Sequence, residues 1–368
     1  MSTLFLHIGT SKTGTTSLQR FLYDNKELLL TKNFLFYSRI EEKDNYLNSI
    51  HLPYLFYFDE SFRWLEHKNN IINEVDRQTF KENIIFKFTK EFKKYPNHNW
   101  IISSEHVFNM CFDKDSIEAL QNFFLKYFDN IKIVIYLRDQ LSYFLSSYST
   151  QVDEKFLRQR KLSLKNLDIS LQNPSTSKDL YYDKSLKNFI KYFGQDNILP
   201  IIYSSSLQKD NMLNKSFLST LNINDFDKFH FSTNLNTRSS LKLIKLKLYF
   251  NSLIESDINF YNHKIPNIRH KINTFLSSLD NTNQKFLPSR SIYKIWSDEF
   301  FNSNKELGLN FFSKKRHLFS QNRIQSFIKN KKKSLNQYDY IEQFQDSLSD
   351  NEKNIISLYL EAIQKLNN

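Results

Sequence analysis

Two of the chain's four glycines, Gly9 and Gly14, stand in a run otherwise made of hydroxyls and one lysine: Gly9-Thr10-Ser11-Lys12-Thr13-Gly14-Thr15-Thr16-Ser17. Average glycine usage is about 7%, so in this chain glycine persists where little else fits. The chemistry that such a run offers is anion binding. A glycine loop that opens a helix turns backbone N–H groups toward a phosphate, and the helix dipole adds to the field. The nucleoside-triphosphate loop requires G-x-x-x-x-G-K-[ST], with its lysine after the second glycine and its hydroxyl on Mg²⁺. Here Gly14 is followed by Thr15 and Thr16, and the lysine sits inside the loop as Lys12. The loop keeps a phosphate cradle but lacks the arrangement that handles β/γ-phosphates and Mg²⁺. The plain alternative is a polar turn that caps a helix.

Such a loop works only if a strand and a helix hold it. Residues 3–8 are apolar, bounded by Gly9 and too short for a helix, so they read as a buried strand. Leu18, Phe21 and Leu22 follow at the i, i+3, i+4 spacing of a helix face. Further strands are expected at Phe34–Tyr37, Trp100–Ser103, Ile131–Leu137 and Ile198–Tyr203, of which Ile131–Leu137 is richest in β-branched residues. Leu141, Phe144, Leu145 and Tyr148 mark another helix face. This alternation predicts an α/β protein: a P-loop-like three-layer fold with a mostly parallel central sheet and a helical C-terminal extension. From about residue 206 the patterns are mostly helical, as in Leu241–Leu253 and Asn351–Leu366. No internal repeat and no Pro/Gly/Ser linker is evident. A single domain over 1–368 is therefore expected, with an α/β core at 1–205 and a mainly helical extension at 206–368.

With those elements in place, the run from His7 to Gln19 resembles the 5′-phosphosulfate-binding loop of the PAPS-dependent sulfotransferases, especially bacterial and carbohydrate-type members. Those usually show Pro-Lys-x-Gly-[ST]-[ST]; Ser11 stands here in place of the Pro. The resemblance implies that Ser11, Lys12, Thr13, Gly14, Thr15, Thr16 and Ser17 hold the donor without a metal. It also implies that the 3′-phosphate is bound by an Arg at a strand end and a Ser eight residues on, which are Arg138 and Ser146 in this chain. The role suits Arg138, which leaves the sheet at the carboxyl edge where α/β ligands bind and whose planar fork matches a phosphate. Gln140 replaces the Pro usual after Arg-Asp. Asn236-Thr237-Arg238-Ser239-Ser240 resembles a segment that closes over the 3′-phosphate, which makes Arg238 a further donor contact. Ser204, Ser205 and Ser206 follow the strand at 198–203 where many relatives carry a Glu.

Sulfuryl transfer to a hydroxyl requires in-line alignment, a base for the acceptor's proton, and stabilisation of the leaving phosphate. Lys12 and the loop amides suit the last task. For the base, Glu105 is the first choice and His106 the second, both following the strand that ends at Ser103. His51, on a loop after the second strand, is the third. The resemblance implies PAPS as donor, PAP as product and a carbohydrate or glycolipid as acceptor. No sequence feature identifies the acceptor or the oligomeric state.

Composition bounds the rest. Lys+Arg number 51 and Asp+Glu 39, a net charge of +12, alongside 35 Phe and 20 Tyr. An A/T-rich genome accounts for much of the Lys, Asn, Ile, Phe and Tyr; attraction to an anionic ligand is the functional reading of the charge. Cys111 is the sole cysteine, which excludes an intrachain disulfide and a Cys-based zinc site. The opening residues carry no basic n-region and no long apolar stretch, and no run reaches the ~18 apolar residues of a membrane helix, so a bacterial cytoplasmic enzyme is expected. One rival is a P-loop kinase or NTPase, for which Asp139 would serve Mg²⁺ but the lysine is misplaced. The other is a basic nucleic-acid-binding protein without catalysis, supported only by the charge and by Lys329-Asn330-Lys331-Lys332-Lys333.

Overall fold

The computed structural model describes residues 2–38, 47–58, 62–155, 163–204, 206–207, 209–231, 240–253, 268–280, 288–313, 318–319 and 348–367. Ser205, Arg238 and the lysine run at 329–333 lie outside the described residues.

Five strands form the sheet: β1 (Thr3–His7), β2 (Phe34–Tyr37), β3 (Asn99–Ser103), β4 (Asn130–Arg138) and β5 (Ile198–Tyr203). The helices used below are α1 (Thr15–Asp24), α2 (Glu74–Lys94), α3 (Gln140–Lys155), α4 (Met212–Thr220), α5 (Leu241–Leu253), α6 (Ile268–Ser278), α7 (Arg290–Glu299) and α8 (Asp350–Asn367). The strand order is β2-β3-β1-β4-β5 and every pairing is parallel. All five expected strands are present, and the α/β class with its parallel sheet is borne out. Parallel strands covered on both faces must be largely apolar, which is why 133–137 reads as an unbroken hydrophobic run.

Parallel strands end at one edge. From β1 the chain turns toward β2, and from β4 it turns the other way toward β5. Loops that diverge leave a crevice at the carboxyl ends of β1 and β4, the switch point where α/β proteins bind ligands.

One sheet face carries Phe5, Ile101, Val134 and Tyr136. It packs against Leu18, Phe21 and Leu22 of α1 and Leu213, Phe217 and Leu218 of α4. The other face presents Trp100, whose ring centroid lies 5.3 Å from Phe88 and 5.8 Å from Phe92 on α2. Each buried Leu or Phe contributes roughly 1.5–3 kcal/mol, so the loop after β1 rests on packed layers.

The chain groups into two compact units: one comprising Met1–Asp139, Lys178–Asn234 and Ser303–Leu318, which holds the sheet, and another comprising Gln140–Ser177, Leu235–Asn302 and Phe319–Asn368. The second contains α3, α5, α6, α7 and α8. Its core gathers Leu246, Phe250, Ile272, Leu276, Ile356 and Leu360, and Lys242 pairs with Glu352 at 2.6 Å. The indole of Trp296 on α7 donates to the Leu171 carbonyl at 2.8 Å. Among the described residues, no helix is long and apolar enough to cross a membrane.

Candidate active site

The loop after β1 is held by β4 beyond the end of the strand. Ile8 N–H donates to Val134 O at 3.0 Å, Thr10 N–H to Tyr136 O at 3.0 Å, and Tyr136 N–H to Gly9 O at 2.7 Å. Two loop hydroxyls face inward. The Thr10 hydroxyl donates to the Tyr136 carbonyl at 3.1 Å, and the Thr13 hydroxyl donates to the Thr10 carbonyl at 2.5 Å.

Three residues of the loop have positive φ: Gly9 at 100°, Lys12 at 61° and Gly14 at 83°. Left-handed turns of this kind bend successive N–H groups into a concave, anion-binding cradle. Lys12 adopts the conformation without being glycine, at a cost of about 1–2 kcal/mol, so the fold holds a cation there against local preference. Gly14 is the N-cap of α1 and supplies no side-chain cap. The first-turn N–H groups of a helix have no intrahelical acceptor. The backbone is also tight: a Cβ on Gly14 would lie 2.6 Å from Leu213 Cδ2, and one on Gly9 would lie 3.2 Å from Glu105 Cβ.

That second approach brings Glu105 to the loop. Glu105 begins the 3₁₀ turn Glu105–Met110 directly after β3 and Ser104. The Ser104 N–H ties this segment to His7 O at 2.9 Å. Glu105 Oε2 accepts from Gln19 Nε2 at 3.2 Å. The same nitrogen donates to Ser103 Oγ at 3.1 Å, and Ser103 Oγ shares a hydrogen bond with His7 Nδ1 at 2.8 Å. His7 is fully buried, and loss of hydration pushes its pKa down to about 3, so the imidazole is neutral near neutral pH.

Arg138 arrives from the opposite side, at the last position of β4. Its Nη1 donates to the Lys12 carbonyl at 2.5 Å, and its guanidinium lies 5.5 Å from the centroid of the Tyr203 ring. The Tyr182 hydroxyl donates to the Arg138 carbonyl at 2.7 Å. Neighbouring strand ends thus gather a carboxylate (β3), an amide-lined loop with a lysine (β1) and an arginine (β4).

Ser11, Lys12, Thr13 and Gly14 occupy the loop, and Thr15, Thr16 and Ser17 the first turn of α1. Thr13 and Thr15 are buried and Thr16 is exposed. His106 follows Glu105 in the 3₁₀ turn, its ring 5.5 Å from that of Phe62. His51 was expected on a loop; it instead opens the short helix His51–Tyr54 and is buried, its ring 6.1 Å from Phe80. The reason is a chain reversal at Ser49, whose N–H donates to the Ser103 carbonyl at 2.9 Å and starts that helical turn beside β3. Ser146 lies half-buried on α3 in the second unit. Three polar residues that sequence reasoning passed over join the site: Gln19, Ser103 and His7. Gln19 had a readable signal, because it shares the inward face of α1 with Thr15, Leu18 and Leu22, and a polar side chain on such a face requires a partner.

No family model and no curated protein matches the sequence. Two solved structures overlap with it at low depth. A sulfotransferase from Alicyclobacillus acidocaldarius is 14% identical, with a TM-score of 0.39 over 67% of this chain and 89% of that one. The sulfotransferase domain from the curacin biosynthetic pathway is 15% identical, with a TM-score of 0.31 over 81% of this chain and 96% of that one. Overlaps of this depth leave the functional reading to the residues of the site.

Proposed function

We propose that this protein is a sulfotransferase that moves a sulfuryl group from PAPS to a hydroxyl of an acceptor, a carbohydrate or glycolipid by the resemblance of its loop. The observation that carries the reading is the convergence of Glu105, the 9–17 loop and Arg138 at adjacent ends of β3, β1 and β4. The glycine-led start of α1 fits a 5′-phosphate group. Lys12 and Arg138 supply the positive charge such a ligand requires. The donor brings a sulfur–oxygen bond that breaks as a new one forms to the acceptor oxygen. Lys12 and the loop N–H groups stabilise the charge left on the departing phosphate. Glu105 accepts the proton that the acceptor hydroxyl gives up. Arg138 holds the 3′-phosphate, a role to which the sequence resemblance also assigns Ser146 and Arg238. His106 and then His51 are the alternative bases.

The test is calorimetric titration with adenosine 3′,5′-bisphosphate in EDTA, beside ATP–Mg²⁺. The bisphosphate should bind saturably without metal, because the loop lacks the Mg²⁺-binding pattern. Arg138→Ala should weaken it by roughly 10- to 100-fold, the equivalent of a lost charge-assisted contact. The same change should barely alter binding of the analogue lacking the 3′-phosphate. Strong ATP–Mg²⁺ binding with none of the bisphosphate would point to a kinase or NTPase instead.

A further inference from the structure

The polar row beneath the loop has a feature that general-base chemistry explains and packing alone does not. Gln19 is 4% exposed, and both hydrogens of its amide nitrogen are committed, one to Ser103 Oγ and one to Glu105 Oε2. Ser103 and His7 are wholly buried behind it. A buried amide could meet its needs on backbone carbonyls; this one reaches across 86 residues of sequence to a carboxylate at the strand edge. The donor's charge state is informative. A lysine or arginine there would hold the carboxylate equally well but would lower its proton affinity by a unit or more. A neutral amide fixes one carboxylate oxygen without placing a positive charge beside it. The imidazole at the far end of the row is also kept neutral by burial.

We infer that Gln19 is the positioning residue for Glu105, clamping Oε2 so that the other oxygen faces the acceptor hydroxyl. Ser103 and His7 hold the amide in the orientation that points its N–H group at the carboxylate. Ser103 Oγ accepts from Gln19 and shares a hydrogen bond with His7 Nδ1. Flipping the amide would set its carbonyl oxygen against Glu105, an acceptor against an acceptor. The inference rests on the proposed function for the identity of the reaction, but the contact itself can be tested without any turnover.

The experiment compares wild type with Gln19→Leu, Gln19→Met and Gln19→Glu. Glu105 is followed by carboxyl carbon NMR in glutamate-labelled protein, and its resonance is assigned by loss in Glu105→Gln. Removing the donor should displace the Glu105 carboxyl resonance at fixed pH, because one oxygen loses its hydrogen bond. Gln19→Glu should displace it as well, by placing a second carboxylate alongside. In sulfate transfer, Gln19→Leu and Gln19→Met should lower kcat about 10- to 100-fold and leave adenosine 3′,5′-bisphosphate affinity within about twofold. Gln19→Glu should move the acid limb of the pH–rate profile upward. A Glu105 carboxyl resonance unchanged in all three variants would overturn the inference, whatever the protein catalyses. So would nucleotide affinity falling in step with kcat, which is the signature of a helix that merely packs badly. Should wild type bind no bisphosphate while Glu105 still responds to Gln19, the clamp would stand as a contact and its assignment to sulfuryl transfer would be overturned.

Discussion

At the residue scale the proposed sulfuryl transfer divides its chemistry between two flanks of one loop. Under the proposed function Lys12 serves the donor side and Glu105 the acceptor side, and their variants should therefore fail differently. Glu105→Gln keeps shape and hydrogen bonding but cannot take a proton. It should cut turnover by about 10²–10⁴-fold while adenosine 3′,5′-bisphosphate affinity stays near wild type. Lys12→Ala removes charge-assisted contacts worth roughly 1.5–3 kcal/mol, so affinity and rate should fall together. Nucleotide titration beside a transfer assay separates the two patterns. Near-full turnover in Glu105→Gln with a dead His106→Asn would reassign the base to His106.

At the scale of elements, the start of α1 is shaped by what packs behind it. Gly14 has φ of +83° and ψ of +20°, a left-handed conformation that costs another residue about 1–2 kcal/mol. A Cβ there would also press on Leu213 Cδ2 of α4. Gly14→Ala should cost about 1–3 kcal/mol in urea unfolding. In a Leu213→Val background, which has no Cδ atom, the added methyl should cost measurably less. Simple additivity in that double-mutant cycle would mean that α4 does not set the space at Gly14.

Across the whole molecule, acid stability should report on His7. Its folded pKa is lowered from 6.5 to about 3 by burial. The unfolded chain therefore binds a proton that the folded chain refuses, and stability falls as pH drops from the unfolded value toward the folded one. From about pH 6.5 to about pH 4.5 this one group should remove about 2 kcal/mol. Hydrogen exchange of β1 amides at the two pH values, in wild type and His7→Gln, measures it. A loss as large in His7→Gln as in wild type would assign the acid sensitivity to other groups.

How much was legible beforehand depended on the range of the interaction. The strands at 3–8 and 131–137 and the glycine-bounded loop were readable because each is a local pattern: an apolar run, a break and a helical period within a few residues. Gly9 and Gly14 stood out as positions where little else fits, and the structure gives both a positive φ. Strand order was a different matter. Nothing local says that β1 lies between β3 and β4, yet that adjacency sets Glu105 against Gly9 and Arg138 against the Lys12 carbonyl. The helical start at His51 was missed for the same reason, since the Ser49–Ser103 bond that launches it joins segments 54 residues apart (103 − 49). Gln19 was visible as a polar residue on an apolar face, but its partners, Ser103 and Glu105, come from the end of β3, more than 80 residues away in sequence. The sequence by itself determined which elements form and where an anion can meet the backbone. Only the tertiary structure decided which side chains face one another there, because hydrogen bonds form between neighbours in space and the sheet chooses those neighbours.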